Sequence, residues 1–256
     1  YTINYSADGT VGYGVYSNAS NTNIQNCKIN QVSTSANSYG IYYNGGSNGN
    51  IFNDTVNTSG ASSYAIRFYT SANNNVSNTS VNAFGANSYG ISLRDSSTNN
   101  SFDKINVQTN NSGAYAFYLY DSTESFTIFN SILNASSSGV ADFYVKNTVS
   151  GGTWNLTNVS FNKSDTYIDV SARGQLNVFW LADTYVSAMS APMENANVSI
   201  YNVSGSLKNW SLTNASGYSP RQTLREYMQN ATSAYYETNY TFNASHATYG
   251  NGSTSV

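Results

Sequence analysis

The stretch Tyr39-Gly40-Ile41-Tyr42-Tyr43 opens a motif that recurs along the first half of this 256-residue chain. Each copy consists of tyrosine, a small residue and an apolar residue, and the copies follow at intervals of 25, 25 and 26 residues: Tyr64-Ala-Ile66, Tyr89-Gly-Ile91 and Tyr115-Ala-Phe117. A unit this short cannot bury its own hydrophobic face, so it must stack on its neighbours. The repeat therefore predicts a solenoid.

The spacing of apolar residues inside each repeat indicates strands. Apolar Ile41 and Tyr43 flank Tyr42, a period of two that is typical of a strand with one buried face. Two further apolar columns keep step with the motif: Ile24, Ile51, Val76, Phe102, Ile128, Trp154 and Ile29, Val56, Val81, Val107, Leu133, Val159. Between them runs a column of Asn26, Asn53, Asn78, Lys104 and Asn130, and asparagine tolerates left-handed backbone in turns. We expect about three short strands in each coil, joined by tight turns.

From Val11 to Asp165 these repeats resemble the right-handed parallel β-helix of pectate lyase-like and NosD-like proteins, over about six coils. The resemblance implies a fold rather than an activity, because that fold hosts lyases, hydrolases, adhesins and surface proteins. The copper association of NosD-like proteins is not expected here, since the chain has one histidine, one cysteine and three methionines. We therefore predict no metal site and no cofactor.

After Val170 the 25-residue register disappears, and longer alternating segments such as Leu176 to Val186 follow. The run from Pro192 to Gly205, followed by Leu212 to Tyr218, resembles the carboxypeptidase regulatory-like, transthyretin-like domain. In that family the module is a spacer or contact domain, with an antiparallel β-sandwich fold. The predicted fold class is all-β, with a right-handed parallel β-helix at 1–168 and an antiparallel β-sandwich at 169–256.

Asparagine is used differently in the two halves of the chain. After Ser150, 11 of 13 asparagines lie in Asn-x-Ser/Thr sequons, which are acceptors for N-linked glycans. The predicted glycosylation sites are Asn155, Asn158, Asn162, Asn197, Asn202, Asn209, Asn214, Asn230, Asn239, Asn243 and Asn251, with Asn18, Asn57, Asn99, Asn110 and Asn134 in the β-helix. Dense glycosylation predicts an extracellular protein at the cell surface, and the order of β-helix then sandwich resembles archaeal exported surface proteins.

Composition argues against two classes of partner. Ten Lys and Arg residues scattered over a chain of net charge -3 supply no basic stripe for nucleic acid. No apolar run approaches the 18 or so residues of a membrane span. The chain begins with Tyr1 rather than methionine, so we expect either a removed signal segment or a piece of a longer polypeptide.

Candidate catalytic groups are few. Asp95 and Asp121 fall one coil apart beside Arg94, and neighbouring carboxylates can serve glycoside hydrolysis or bind Ca²⁺. Asp95-Ser-Ser and Asp121-Ser-Thr are equally typical of turns that end strands. We expect no catalytic residues and no enzyme activity. We expect the His246 side chain to be exposed and the small Cys27 side chain to be packed in or near a strand.

The outward position of the first strand carries aromatic residues from coil to coil, reading Tyr16, Tyr42, Arg67, Ser92, Tyr118 and Tyr144. Such a column is compatible with three roles: a cover for the sheet, a self-association surface, or a platform for sugar rings. The alternating segment Tyr1-Thr-Ile3-Asn-Tyr5 is compatible with pairing to another chain or with capping its own first coil. The predicted interface residues are Tyr1, Ile3, Tyr5, Tyr16, Tyr42, Tyr118 and Tyr144.

The function predicted from these patterns is structural. A β-helix leaves strand edges at its ends, and head-to-tail pairing between copies would generate a filament. We predict an N-glycosylated subunit that assembles with copies of itself into a surface layer, sheath or filament. The alternatives are a polysaccharide-binding or polysaccharide-cleaving β-helix protein, or an adhesin.

Overall fold

The computed structural model describes residues 1–6, 11–32, 37–121, 125–137, 139–146 and 151–255. The chain forms two compact units, one of residues 1–176 with 230–233 and one of residues 177–229 with 234–256. Among the described residues the helical structure is a single 3-10 turn, Lys163–Asp165. No helix in this part of the chain has the length and apolar character to span a membrane.

The first unit consists of short strands. In chain order they are β1 (Thr2–Tyr5), β2 (Tyr13–Ser17), β3 (Asn23–Gln25), β4 (Lys28–Gln31), β5 (Tyr39–Asn44), β6 (Asn50–Phe52), β7 (Thr55–Thr58), β8 (Tyr64–Tyr69), β9 (Asn75–Ser77), β10 (Ser80–Ala83), β11 (Ile91–Arg94), β12 (Asn100–Asp103), β13 (Asn106–Thr109), β14 (Phe117–Tyr120), β15 (Phe126–Ala135), β16 (Phe143–Lys146), β17 (Thr153–Ser160) and β18 (Thr166–Ile168).

These strands stack as a parallel β-helix of about six right-handed turns, which confirms the predicted all-β solenoid. One sheet has the order β18-β16-β14-β11-β8-β5-β2. The other strands stack in two runs, β1-β4-β7-β10-β13 and β3-β6-β9-β12, which both join the long strand β15, and β17 pairs with β15 in the next coil. Every pairing within these runs is parallel and one coil apart, so each coil contributes one strand to each run.

The apolar columns fill the interior in the predicted register. Ile41 pairs with Ile66 and Ile66 with Ile91, and all three side chains have no exposed surface. The last coil departs from the prediction. Ile128 pairs with Leu156 rather than Trp154, because this coil is longer, 28 residues from position 128 to 156.

The small residue of the motif has a packing explanation. A Cβ atom on Gly40 would lie 2.6 Å from the carbonyl oxygen of Ala65 and 2.4 Å from Cγ1 of Val56. A Cβ atom on Gly90 would likewise lie 2.6 Å from the carbonyl oxygen of Ala116 in the next coil. Real Cβ contacts are not this short, so the close spacing of coils requires glycine at these two positions, while alanine occupies the same position in the intervening coils at Ala65 and Ala116.

The asparagine column forms the predicted left-handed turns. Asn26, Asn53 and Asn78 have φ of 56°, 56° and 51°. Their amides form a ladder along the solenoid, since Nδ2 of Asn78 donates to Oδ1 of Asn53 at 3.0 Å, and Asn53 donates to Asn26 at 2.8 Å. Lys104 has the same conformation, with φ of 53°, and interrupts the ladder because its side chain has no acceptor.

Strand β19 (Gln175–Ala182) begins in the last two residues of segment 1–176 of the first unit and continues into the second unit. The other strands of that unit are β20 (Ser187–Ala188), β21 (Ala191–Pro192), β22 (Asn197–Tyr201), β23 (Leu207–Leu212), β24 (Gln222–Gln229), β25 (Ala234–Tyr236), β26 (Thr241–His246) and β27 (Gly250–Ser255). Four of them form an antiparallel sheet in the order β23-β22-β26-β27. Val198, Ile200 and Phe242 of this sheet pack with Leu224 and Tyr240 in one apolar cluster. The sheet agrees with the antiparallel architecture expected here, while a complete transthyretin-like sandwich remains a prediction.

Candidate functional site

The outward surface of the sheet that contains β2, β5, β8, β11, β14, β16 and β18 is covered by tyrosine side chains. We call this surface the tyrosine face. Twelve of the 23 tyrosines of the chain belong to it: Tyr13, Tyr16, Tyr39, Tyr42, Tyr64, Tyr69, Tyr89, Tyr115, Tyr118, Tyr120, Tyr144 and Tyr167. More than half of the tyrosines therefore lie on one sheet of one unit.

The central column of this face has the register that the sequence predicts. Strand pairing places Tyr16 beside Tyr42, Arg67 beside Ser92, and Tyr118 beside Tyr144. The column continues to Tyr167, which pairs with Tyr144. The predicted interface tyrosines of the β-helix are thus brought together, although their use as a contact between copies remains a prediction.

A second tyrosine column, at the first position of the motif, was not assigned to the surface by sequence reasoning. The rings of Tyr39 and Tyr64 have centroids 5.3 Å apart, those of Tyr64 and Tyr89 4.6 Å, and those of Tyr89 and Tyr115 5.2 Å. Tyr89 also contacts Tyr118 of the central column at 4.1 Å. The recurrence of tyrosine rather than an aliphatic residue at this position was the signal that could have revealed it.

Ring packing makes the face rigid. Tyr118 is only 8% exposed because its ring is packed among Tyr89, Tyr115 and Tyr144. Each aromatic pair contributes about 0.5–1.5 kcal/mol beyond its buried area. Mutual packing therefore restricts the conformations that these rings can adopt.

The phenol groups of Tyr89, Tyr118 and Tyr144 remain neutral well above neutral pH. Burial, followed by the neighbouring Tyr115 and Tyr167, raises the pKa of Tyr144 to about 12. Burial also raises the pKa of Tyr89 and Tyr118. At physiological pH these three rings are uncharged, and their hydroxyls can donate and accept hydrogen bonds.

One position in the central column is not aromatic or cationic. Ser92 is 2% exposed and lies between Arg67 on one strand and Tyr118 on the other. Its small side chain leaves a shallow cavity of about 250 Å³, which Arg94 and Lys146 also line. We call this cavity the Ser92 notch.

The cations at the notch are held by aromatic rings. The Cζ atom of Arg67 lies 5.1 to 5.7 Å from the centroids of four tyrosines: Tyr39, Tyr42, Tyr64 and Tyr69. Its Nη1 donates to the Tyr39 hydroxyl at 2.6 Å, whereas its buried Nε has no hydrogen-bond partner among the described residues. Arg94 lies over the ring of Tyr120 at 4.7 Å and forms an ion pair with Asp95 at 3.5 Å.

The pair of carboxylates considered for catalysis lies in turns. Asp95 and Asp121 have φ of 48° and 50°, directly after β11 and β14, at the position that Gly45 and Thr70 occupy in earlier coils. Within the described parts of the chain, no three His, Cys, Asp or Glu side chains are grouped as metal ligands would be. Left-handed turns are favourable places for aspartate, so these residues have a local structural role.

Two other carboxylates are buried and serve the backbone. Asp54 accepts a hydrogen bond from the Cys27 N–H at 2.6 Å, and Asp142 accepts one from the Asn162 N–H at 2.6 Å. Burial raises the pKa of both carboxyl groups, and the backbone donors act in the opposite direction. Both carboxylates therefore provide acceptors for backbone N–H groups in the turns between strands.

Strand β1, which carries two of the predicted interface residues, pairs with β4 of the same chain. In β1, Ile3 lies beside Ile29 and Tyr5 beside Gln31 of β4. Tyr1 is 96% exposed, and its ammonium group donates to the carbonyl of Asn26 at 2.9 Å. Of the two alternatives for this segment, the structure shows an edge strand on its own first coil.

The predicted glycan acceptors differ in accessibility. Asn202 is buried, Asn57, Asn155, Asn197 and Asn230 are half-buried, and Asn18, Asn99, Asn110, Asn134, Asn158, Asn162, Asn209, Asn214, Asn239, Asn243 and Asn251 are exposed. Asn57 donates from Nδ2 to Asn30, and Asn158 donates to Asn130 in the asparagine column. Glycan attachment at these sites remains a prediction.

No protein family model and no curated protein matches the chain. Among solved structures, the chain is similar to the enzymatically active domain of tailspike protein 2 of bacteriophage CBA120, with 11% identity and a TM-score of 0.44. The alignment covers 98% of this chain and 53% of that one, so this chain spans about half the length of the tailspike structure.

The tailspike comparison corrects one expectation. The sequence analysis expected no enzyme activity, and the structure that the chain is similar to is described as an enzymatically active domain. The exclusion of an enzyme is therefore withdrawn. The similarity assigns no catalytic residue to this chain.

Proposed function

We propose that this protein binds polysaccharide along the tyrosine face of its β-helix. The single observation that carries this proposal is the array of mutually packed tyrosine rings on the outward surface of one parallel sheet. Aromatic rings offer apolar surfaces for the C–H faces of sugar rings, and their hydroxyls offer hydrogen bonds to sugar hydroxyls. The proposal replaces self-assembly as the primary function.

The dimensions of the face suit a chain-like ligand. Seven parallel strands, spaced about 4.8 Å apart, extend the face over about 29 Å along the solenoid. A surface that repeats from coil to coil presents similar groups at regular intervals, which favours a polymer that also repeats. Tyr16 and Tyr167, at the two ends of the central column, are 45% and 46% exposed and so available to a ligand.

The test is binding to a panel of polysaccharides, measured by calorimetry with the double variant Tyr42→Ala/Tyr144→Ala. Both residues are half-buried in the central column, where loss of a ring removes a contact surface. The matched control is Tyr235→Ala, an exposed tyrosine of the second unit. Release of sugar fragments is measured in the same samples, so that binding and cleavage are separated.

We expect the double variant to lose at least about tenfold in affinity, because two stacking surfaces are removed; for comparison, stacking of a nucleic-acid base on an aromatic ring is worth about 1–3 kcal/mol. The control should bind as the parent protein does. Absence of binding across the panel, or equal binding by the double variant and the parent, contradicts the proposal. Light scattering on the same samples tests the predicted homopolymer, which, like an extracellular location, remains a prediction from the sequence.

A further inference from the structure

We infer that the Ser92 notch binds an acidic group of the polysaccharide, a carboxylate or a sulfate ester. This inference rests on the proposed function and adds to it the chemical class of the ligand. It places one subsite on the tyrosine face, at Ser92, with Arg67, Arg94 and Lys146 around the bound anion.

The first observation is the local charge. The chain has ten Lys and Arg residues and a net charge of -3, yet three of those ten cations line this one cavity. Among the residues that the structure describes, no carboxylate lines it. Two described carboxylates offset part of this charge: that of Asp95 lies 3.5 Å from Nε of Arg94, and that of Asp169 interacts electrostatically with Lys146. The guanidinium of Arg67 forms no ion pair with the described residues.

The second observation is the environment of the Arg67 guanidinium. Arg67 uses Nη1 on the Tyr39 hydroxyl, while its Nε is buried without a hydrogen-bond partner among the described residues. Because this Nε is enclosed, an anion in the notch would interact with the positive charge of the guanidinium rather than bond to Nε. The four rings around Arg67 also hold the guanidinium in one position, so little entropy is lost on binding.

The third observation is shape. The central column reads tyrosine, tyrosine, arginine, serine, tyrosine, tyrosine, tyrosine, and only at Ser92 does a small side chain interrupt it. The Tyr118 ring next to Ser92 forms one wall of the resulting cavity, and the Tyr120 ring forms another. A sugar ring can therefore stack beside the notch while its acidic substituent enters it.

The test compares polysaccharides that differ only in their charge. One pair is a polyuronate and its carboxyl-reduced form, and a second pair is a sulfated polysaccharide and its desulfated form. Binding is measured at low and high salt and at pH 3 and pH 7. A carboxylate ligand loses its charge and its affinity near pH 3, whereas a sulfate ester keeps both, so the two sources of the anion are distinguished.

Three variants locate the subsite. The double variant Arg94→Gln/Lys146→Met removes two charges, and we expect it to bind the acidic member of a pair about tenfold more weakly while binding to the neutral member changes less than about twofold. Ser92→Tyr completes the aromatic column and should have the same selective effect by filling the cavity. The third variant, Lys28→Gln, is the control: it removes an exposed cation of β4, outside the notch, and should bind as the parent protein does.

The outcomes separate this inference from the proposed function. Equal affinity for both members of each pair, or equal loss of acidic and neutral ligands in the double variant, overturns the acidic subsite and leaves polysaccharide binding intact. Binding of polyglutamate as tightly as a polyuronate also overturns it, because the surface would then recognise charge without sugar. If no polysaccharide binds at all, the proposed function fails first.

Discussion

Asn53 donates a hydrogen bond from Nδ2 to Oδ1 of Asn26, one coil away, at 2.8 Å, and both residues have left-handed backbone with φ of 56°. Asparagine thus contributes in two ways: it adopts a left-handed turn conformation that most residues avoid, and it forms a hydrogen bond between coils. The contribution of each to stability can be measured.

We predict that Asn53→Ala lowers the free energy of unfolding by about 2 kcal/mol in protein produced without glycans. About half of the loss comes from the left-handed backbone, which alanine disfavours, and about half from the two hydrogen bonds to Asn26 and Asn78. Asn53→Gly should lose only the second part, because glycine adopts this conformation readily. Urea unfolding measures both variants, and equal losses would contradict this division.

Substitution at the corner between coils should be far more damaging. Gly40→Val places a branched side chain where a Cβ alone would lie 2.6 Å from the Ala65 carbonyl oxygen. We expect a loss of about 3 kcal/mol or more, because neighbouring coils cannot separate without breaking their strand pairing. Gly252→Ala, where no atom lies within 4 Å, is the control and should change stability by less than about 0.5 kcal/mol. A mild effect at Gly40 would show that the coils can separate locally.

Alkaline pH should destabilise the β-helix through its buried phenols. Burial raises the pKa of Tyr43 to about 12, and its hydroxyl donates to the carbonyl of Thr22 at 2.9 Å. The folded-state pKa is above the value of 10.0 for an unperturbed tyrosine, so this stabilisation is complete below pH 10 and is lost as the pH rises from 10 through 12.

The variant Tyr43→Phe cannot ionise and should therefore lose less stability than the parent between pH 10 and 12. At pH 7 it should be about 1 kcal/mol less stable, because the hydrogen bond to Thr22 is lost. Denaturant unfolding at each pH provides the measurement, and Tyr235→Phe, at an exposed tyrosine, is the control. Parallel pH profiles for the parent and Tyr43→Phe would refute the role of Tyr43.

Glycan occupancy should follow exposure if modification acts on the folded chain. Oδ1 of the buried Asn202 accepts hydrogen bonds from Ser204 at 2.8 Å and from the Ser206 N–H at 2.9 Å, whereas Asn251 is exposed on β27. We expect occupancy at Asn251 and none at Asn202 after expression in a glycosylating host. Mass spectrometry of the peptides measures both sites. Full occupancy at Asn202 would show that glycans are added before this turn folds.

Much of the fold could be predicted because a solenoid repeats locally. The apolar period of two and the spacing of 25 residues predict that Ile41, Ile66 and Ile91 stack, and they do. The prediction failed in the last coil, where Leu156 pairs with Ile128. A register counted from earlier repeats has no means of detecting a longer final loop.

The candidate site was likewise predicted only in part from the sequence. By itself the sequence determined the coil, the left-handed asparagine turns and the central column from Tyr16 to Tyr144, because each follows from residue spacing along a strand. Only the tertiary structure decided that Tyr64, Tyr89 and Tyr115 join that surface, that Arg67 lies among four rings, and that Arg94 and Lys146 line a cavity over Ser92. Those contacts depend on how far each side chain reaches across neighbouring coils, and one-dimensional spacing does not contain this distance.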